Sequence, residues 1–175
     1  VVNDLRTYIR SVPDFPKKGI VFRDITTLLQ HNEAFAATIE KFFERFKESG
    51  IQKVVAIESR GFIFGGALAQ RLRSGFVPVR KPKKLPWKTV RQEYELEYGS
   101  DALEIHLDAI SPGERVLIID DLLATGGTAA AACNLVQQLS GKIIGLAFLI
   151  ELSFLHGRDK LKAYDVHSLI SYDGE

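Results

Sequence analysis

Residues 115–131 read Arg-Val-Leu-Ile-Ile-Asp-Asp-Leu-Leu-Ala-Thr-Gly-Gly-Thr-Ala-Ala-Ala, and no other stretch constrains the fold as much. The apolar run 116–119 has the length and β-branched content of a strand buried on both faces of a parallel sheet. Two carboxylates, Asp120 and Asp121, follow it where the strand should emerge at its carboxyl end. Then come Ala124, Thr125, Gly126, Gly127 and Thr128, and after them an alanine run that reads as a helix. Ligands of open α/β sheets bind at the carboxyl ends of strands. A small-residue turn entering a helix N-terminus offers free N–H groups to an anion. Adjacent carboxylates repel phosphate but accept hydrogen bonds from sugar hydroxyls, or bind Mg²⁺. A phosphate site joined to a polyol site describes a ribose phosphate.

The stretch carries neither Gly-Lys-[Ser/Thr] nor G-x-G-x-x-G, so the usual nucleotide-loop signatures are missing. It resembles instead the phosphoribosyl-pyrophosphate (PRPP) motif of the type I phosphoribosyltransferases.

With 175 residues the chain is the size of a single domain, 1–175, large enough for a substantial core. Its 23 basic and 22 acidic residues nearly cancel, which removes the electrostatic case for nucleic acid. A single cysteine, Cys133, excludes an internal disulfide and suits a reducing, cytoplasmic setting; on the alanine helix it reads as a small buried residue. No apolar run is long enough to span a bilayer.

Along the chain, residues 2–11 read as a short helix ended by Pro13. Residues 13–24, with two prolines, a glycine and several aromatic and charged side chains, form an irregular segment that suits either a cap over a site or a packing arm. Asn32 is the expected cap of an amphipathic helix whose Phe35, Ile39, Phe42, Phe43 and Phe46 share one face. Residues 54–57 read as a second buried strand, and Glu58, Ser59, Arg60 and Gly61 make a polar turn before the helix 62–73. This turn alone also suits a surface ion pair. Strand, polar glycine turn and helix nonetheless occur twice, and two such turns on one sheet edge suit two anionic groups.

Residues 76–80 form a third strand, whose Pro78 favours an edge position. Arg80, Lys81, Lys83 and Lys84 follow it, either a solvated loop or cations for a leaving anion. Alternation around Tyr94, Leu96 and Tyr98 predicts a long hairpin standing out of the sheet, the kind of connection that serves as a lid. Residues 143–150 and 166–170 complete the strands. None of the four histidines has a partner at metal-ligand spacing, so all read as structural or surface residues. The alternation of strands and helices predicts an α/β fold, a doubly wound, mostly parallel sheet flanked by helices.

Together, 15–16 with 22–24, 58–62, 80–81, 96–99 and 120–128 resemble the adenine phosphoribosyltransferase family over nearly the whole chain. The resemblance implies the type I phosphoribosyltransferase fold with a small N-terminal hood (1–31) and a protruding hairpin that acts as a flexible catalytic loop (82–102). It implies conversion of PRPP and adenine to AMP and pyrophosphate with Mg²⁺, by a homodimer. Asp120 and Asp121 would hold the ribose hydroxyls, and Ala124, Thr125, Gly126, Gly127 and Thr128 the 5′-phosphate. Glu58, Ser59, Arg60 and Gly61 would form the pyrophosphate loop, with Arg80, Lys81 and Lys84 facing the same group. Val21, Phe22 and Arg23 would line the base pocket. Glu97 resembles the family's proton-transfer residue, against the plainer reading of an exposed strand charge; Tyr98 resembles a loop-closing residue, and Arg60 lies near the ligands. The resemblance assigns no direct metal ligand, Mg²⁺ being held mainly by PRPP and water. Hypoxanthine–guanine enzymes carry an acidic residue where this chain has Ala124, and orotate enzymes lack the Leu96-Glu97-Tyr98-Gly99 pattern. Lys83 departs from the glycine common at its position, which affects the role expected of Lys84.

Overall fold

A computed structural model describes residues 2–96 and 98–175, so Glu97, the expected proton-transfer residue, lies outside the described residues. The chain begins with a 3₁₀ turn, Leu5–Tyr8, and strand β1, Arg10–Val12, which pairs antiparallel with β2, Phe22–Asp24. A continuous helix over 2–11 is therefore not formed. Tertiary pairing prevails over local propensity: Arg10 meets Asp24 at 3.0 Å, and Thr27 Oγ1 donates to the Tyr8 carbonyl at 2.6 Å.

Helices α1 (Thr26–Gln30) and α2 (Asn32–Phe46) follow. The cap of α2 is His31 rather than Asn32: its Nδ1 accepts from the Ala34 N–H, while Asn32 Oδ1 accepts from the N–H of Glu33. Phe42 and Phe46 are buried; Phe35, Ile39 and Phe43 flank them, half-buried.

The core is a five-stranded sheet, wholly parallel. In chain order its first strands are β3 (Lys53–Ile57) and β4 (Gly75–Val79), joined by helix α3 (Gly61–Leu72). A hairpin follows, β5 (Thr89–Glu95) with β6 (Ser100–His106). Then come β7 (Arg115–Leu123), α4 (Gly127–Gln138), β8 (Lys142–Leu152) and β9 (Val166–Tyr172). Spatially the order is β4-β3-β7-β8-β9, with Pro78 on an edge strand as expected.

That order locates the site. From β3 the chain steps outward to β4, then returns to the other side of β3 to lay down β7, β8 and β9. The direction of winding reverses between β3 and β7, and such a switch point opens a crevice at the strands' carboxyl ends. Helix α3 packs Phe64, Leu68 and Ala69 on one face of the sheet with Phe42 and Phe46 of α2. Helix α4 packs Ala129, Ala132, Cys133, Leu135 and Val136 on the other. Each face buries its own apolar cluster. Burial pushes the Cys133 thiol up to about 12, which leaves it unreactive.

The hairpin is anchored as well as protruding. Leu103 and Ile105 of β6 are buried in the α4-side cluster, and Ala102 beside them is buried too. Arg80, at the end of β4, exchanges both backbone hydrogen bonds with Glu104. Among the described residues no helix is long and apolar enough to cross a membrane.

Candidate active site

The strand β7 outruns its neighbour. Ala56 of β3 pairs with Ile119, and β3 ends one residue later at Ile57, whereas β7 continues to Leu123 on β8 alone. Asp120 and Asp121 thus lie inside the strand rather than beyond it, at the point where the β3 side opens. The exposed flank of β7 forms one wall of a cleft of about 620 Å³. Glu58, Ser59 and Arg60 line the facing wall, Ala124, Thr125, Gly126 and Thr128 the floor, and Lys81, Tyr94, Leu96 and Asp101 the rim. The two polar turns and the two carboxylates share one crevice.

Asp121 is 6% exposed and carries an ion pair to Arg60 Nε at 2.6 Å. Asp120 is in a less favourable setting. Burial and then the neighbouring Asp121 charge push its carboxyl well above the ordinary value of 3.8. Its Oδ1 accepts from the Asp121 N–H at 2.8 Å. Helix α3 begins against it: a Cβ on Gly61 would lie 2.8 Å from Asp120 Oδ1, so glycine permits the approach.

The 124–128 turn is set by backbone contact. Gly126 has φ +84° and directly precedes α4, whose first-turn N–H groups lack helical acceptors. A Cβ on Gly126 would overlap the Gly157 carbonyl oxygen, and one on Gly157 would overlap that of Ala124. Two glycines 31 residues apart therefore lock the turn from behind. Arg158, next in the chain, donates to both oxygens of buried Glu151 at 2.7 and 2.8 Å, and Ser168 Oγ adds a bond at 2.7 Å. Burial alone would raise the Glu151 carboxyl, but these donors outweigh it and hold the group below its usual value.

The first turn is held by charges. Glu58 Oε1 accepts from the Lys81 N–H at 2.6 Å and lies 3.5 Å from Arg80 Nε. Arg80 thus faces the turn from behind the cleft lining, and Lys84 is exposed outside that lining. In the hood, Phe22 lies under the Arg60 guanidinium, 5.5 Å from Cζ to ring centroid. Arg23 stacks on Tyr172 at 4.0 Å and donates to Ser11 Oγ, and the Val21 N–H donates to Glu175. Only Phe22 of the three reaches a cleft residue through a described contact. Tyr98, at the hairpin turn, is 81% exposed. Gly127 lies beneath the hairpin, 3.6 Å from the Tyr94 ring when a Cβ is built on it.

Sequence reasoning missed Tyr94, Asp101 and Leu103 as cleft residues. The alternation through Tyr94 and Leu96 was a usable signal, since residues two apart along an extended chain share one face. Asp101 had none: its place opposite Tyr94 comes from the hairpin register.

A switch-point crevice with a carboxylate pair, an anion turn entering a helix and a second polar turn on the adjoining strand defines the phosphoribosyltransferase class. The family model described as phosphoribosyl transferase domain matches residues 24–173. The adenine phosphoribosyltransferase of Koribacter versatilis is 57% identical over 171 residues, 98% of this chain and 94% of that relative. The solved adenine phosphoribosyltransferase of Thermoanaerobacter pseudethanolicus is 53% identical with a TM-score of 0.93, covering 96% of this chain and 98% of that one. That of Saccharomyces cerevisiae, complexed with an imino-altritol bisphosphate and adenine, is 44% identical with a TM-score of 0.90, covering 94% and 96%. The chain belongs to the adenine phosphoribosyltransferase family.

Proposed function

We propose that this chain transfers the 5-phosphoribosyl group of PRPP to adenine, giving AMP and pyrophosphate. The observation that carries the reading is the convergence of the 58–61 and 120–128 segments on one crevice. In this reading the α4 turn holds the 5′-phosphate and Asp120 and Asp121 accept from the ribose hydroxyls. Glu58, Ser59, Arg60, Gly61 and Lys81 flank the pyrophosphate, with Arg80 bracing that turn through Glu58 and Lys84 outside the lining, and Phe22, beside Arg60, is the hood residue nearest the base.

The C1–O bond to pyrophosphate breaks as a ring nitrogen of adenine bonds C1, and the ring proton passes to Glu97. Positive charge on the sugar grows beside the carboxylates, and negative charge on the leaving group grows beside the cations. Holding ribose and base in line removes an entropic barrier, and closure of 82–102 with Tyr98 keeps water from C1.

The donor set fits Mg²⁺. Among the described residues no group of three His, Cys, Asp or Glu converges on a metal. Held mainly by PRPP and water, the ion would take at most one or two carboxylates from protein, and Asp120 and Asp121 would be those. Bound there, the ion would neutralise charge on the leaving oxygens.

A homodimer is part of the proposal. Its support is an apolar surface on α3, the edge strand β4 and the segment after it, where Ile63, Phe76 and Trp87 are 41%, 40% and 53% exposed. Sedimentation as a monomer would remove it. A cytoplasmic location suits the single buried thiol.

An assay with PRPP, Mg²⁺ and each base in turn tests the activity. Turnover with guanine and none with adenine would overturn the base assignment and leave the fold untouched. Glu97→Gln is expected to lower kcat by roughly 10²–10⁴-fold, and an unchanged kcat removes Glu97 from the proton transfer.

A further inference from the structure

A negative charge in the wall of a diphosphate site opposes the ligand, and Asp101 is such a charge, lining the cleft from β6. Both of its oxygens are engaged. Oδ1 accepts from the Ala102 N–H at 2.8 Å, and Oδ2 accepts from Lys81 Nζ at 2.9 Å and from the Tyr94 hydroxyl at 3.4 Å. The hairpin register sets Tyr94 directly opposite Asp101, so the carboxylate is fixed by the element that carries it. Lys81 is also held at its other end, by the bond from its N–H to Glu58. One lysine ties the 58–61 turn to the hairpin, its ammonium drawn across the rim by a carboxylate.

We propose that Asp101 is a positioning residue for phosphoribosyl transfer: it holds the Lys81 ammonium extended at the rim and stays bonded to it while the remaining N–H donors of that ammonium meet the pyrophosphate of PRPP. The inference rests on the reading that pyrophosphate lies on the Lys81 side of the cleft. A lysine left to itself samples many rotamers, and binding an anion would have to suppress them. Asp101 suppresses them beforehand. The pair is half-exposed, with Lys81 56% and Asp101 24% accessible, so the other N–H donors of the ammonium stay open to an incoming anion. The two charges support each other: the Lys81 hydrogen bond holds Asp101 below the ordinary carboxylate value, and Asp101 raises Lys81.

A carboxylate that merely repelled the diphosphate would have the opposite effect on PRPP, so the sign of one substitution decides. Asp101→Asn removes the charge and keeps the shape. Initial rates at saturating adenine are measured for the wild type, Asp101→Asn, Asp101→Glu, Lys81→Ala and the Asp101→Asn, Lys81→Ala double variant. Asp101→Asn is expected to raise KM for PRPP by about tenfold, the scale of one charge-assisted contact, with kcat changed less than about twofold. Asp101→Glu should keep KM within about threefold of wild type. The double variant should match Lys81→Ala, because Asp101 acts only through Lys81.

An unchanged or lower KM in Asp101→Asn, or a double variant worse than Lys81→Ala, overturns the inference while wild-type turnover keeps the activity standing. An unchanged KM in Lys81→Ala removes the pyrophosphate assignment at Lys81 and this inference together. A wild type that forms no pyrophosphate from PRPP and adenine overturns the activity itself, and the inference with it.

Discussion

The two turns that frame the cleft are held by different physics. The 124–128 turn is clamped backbone against backbone by Gly126 and Gly157 and secured by buried Glu151 with Arg158. The 58–61 turn is held by ion pairs, Arg60 with Asp121 in the cleft and Glu58 with Arg80 behind its lining, while the Lys81 N–H bonds Glu58. Close-packed contacts have few alternative arrangements, whereas partly exposed ion pairs contribute little and trade partners readily. One side of the crevice is a preformed mould and the other a set of exchangeable charges. The division suits a reaction that keeps the 5′-phosphate in place and releases pyrophosphate.

Substitutions can break this contrast. The largest effect is expected from the carboxylates between the turns: Asp120→Asn with Asp121→Asn should raise KM for PRPP by about 100-fold or more, as two charged acceptors are lost. Unchanged affinity in an initial-rate assay would refute the ribose assignment.

On the mould side, Gly157→Ala forces a methyl into the Ala124 carbonyl. Such overpacking costs about 1–3 kcal/mol, or a fall in Tm of about 2–4 °C per kcal/mol for a chain of this size. Calorimetry showing no change would mean that the turn is not clamped.

Two carboxyl groups should respond to acid in opposite directions. Glu151 has a folded pKa below its ordinary 4.5, so its stabilisation is present above that value and is lost as pH falls through the folded one. Glu151→Gln should lower Tm at neutral pH and flatten the acid limb of a Tm–pH profile. Asp120 has a folded pKa above 3.8, so its favourable contribution is present below that value and is lost as pH rises through the folded one. Asp120→Asn alone should therefore raise Tm at neutral pH while weakening PRPP, and a lower Tm would contradict the unfavourable burial of that charge.

The smallest effect belongs to the charged turn. Glu58→Gln keeps an acceptor for the Lys81 N–H and should change stability by less than about 1 kcal/mol. A loss equal to that of Gly157→Ala, measured by urea unfolding, would erase the distinction between the two sides.

Much of the site was legible before folding was considered. The run 116–119, the turns 58–61 and 124–128, the phenylalanine stripe of α2 and the edge position required by Pro78 all follow from consecutive residues. Hydrophobic period and turn chemistry are local properties of a chain. The readings that changed depend on distant partners. Residues 10–12 form a strand because 22–24 pair with them. Asp120 and Asp121 lie within β7 because β8 continues beside it after β3 has stopped.

The sequence by itself therefore determined the five strands of the central sheet, helices α2 to α4, the anion turn and the carboxylate pair at the mouth of a buried strand. Tertiary structure alone decided that β3 and β7 are neighbours, that Gly157 closes the back of the 124–128 turn and that Asp101 reaches Lys81. Local patterns are carried by neighbouring residues and survive in the unfolded chain's order. Sheet order and register are properties of pairs far apart in sequence, and they exist only once the apolar faces of α3 and α4 have closed on the sheet.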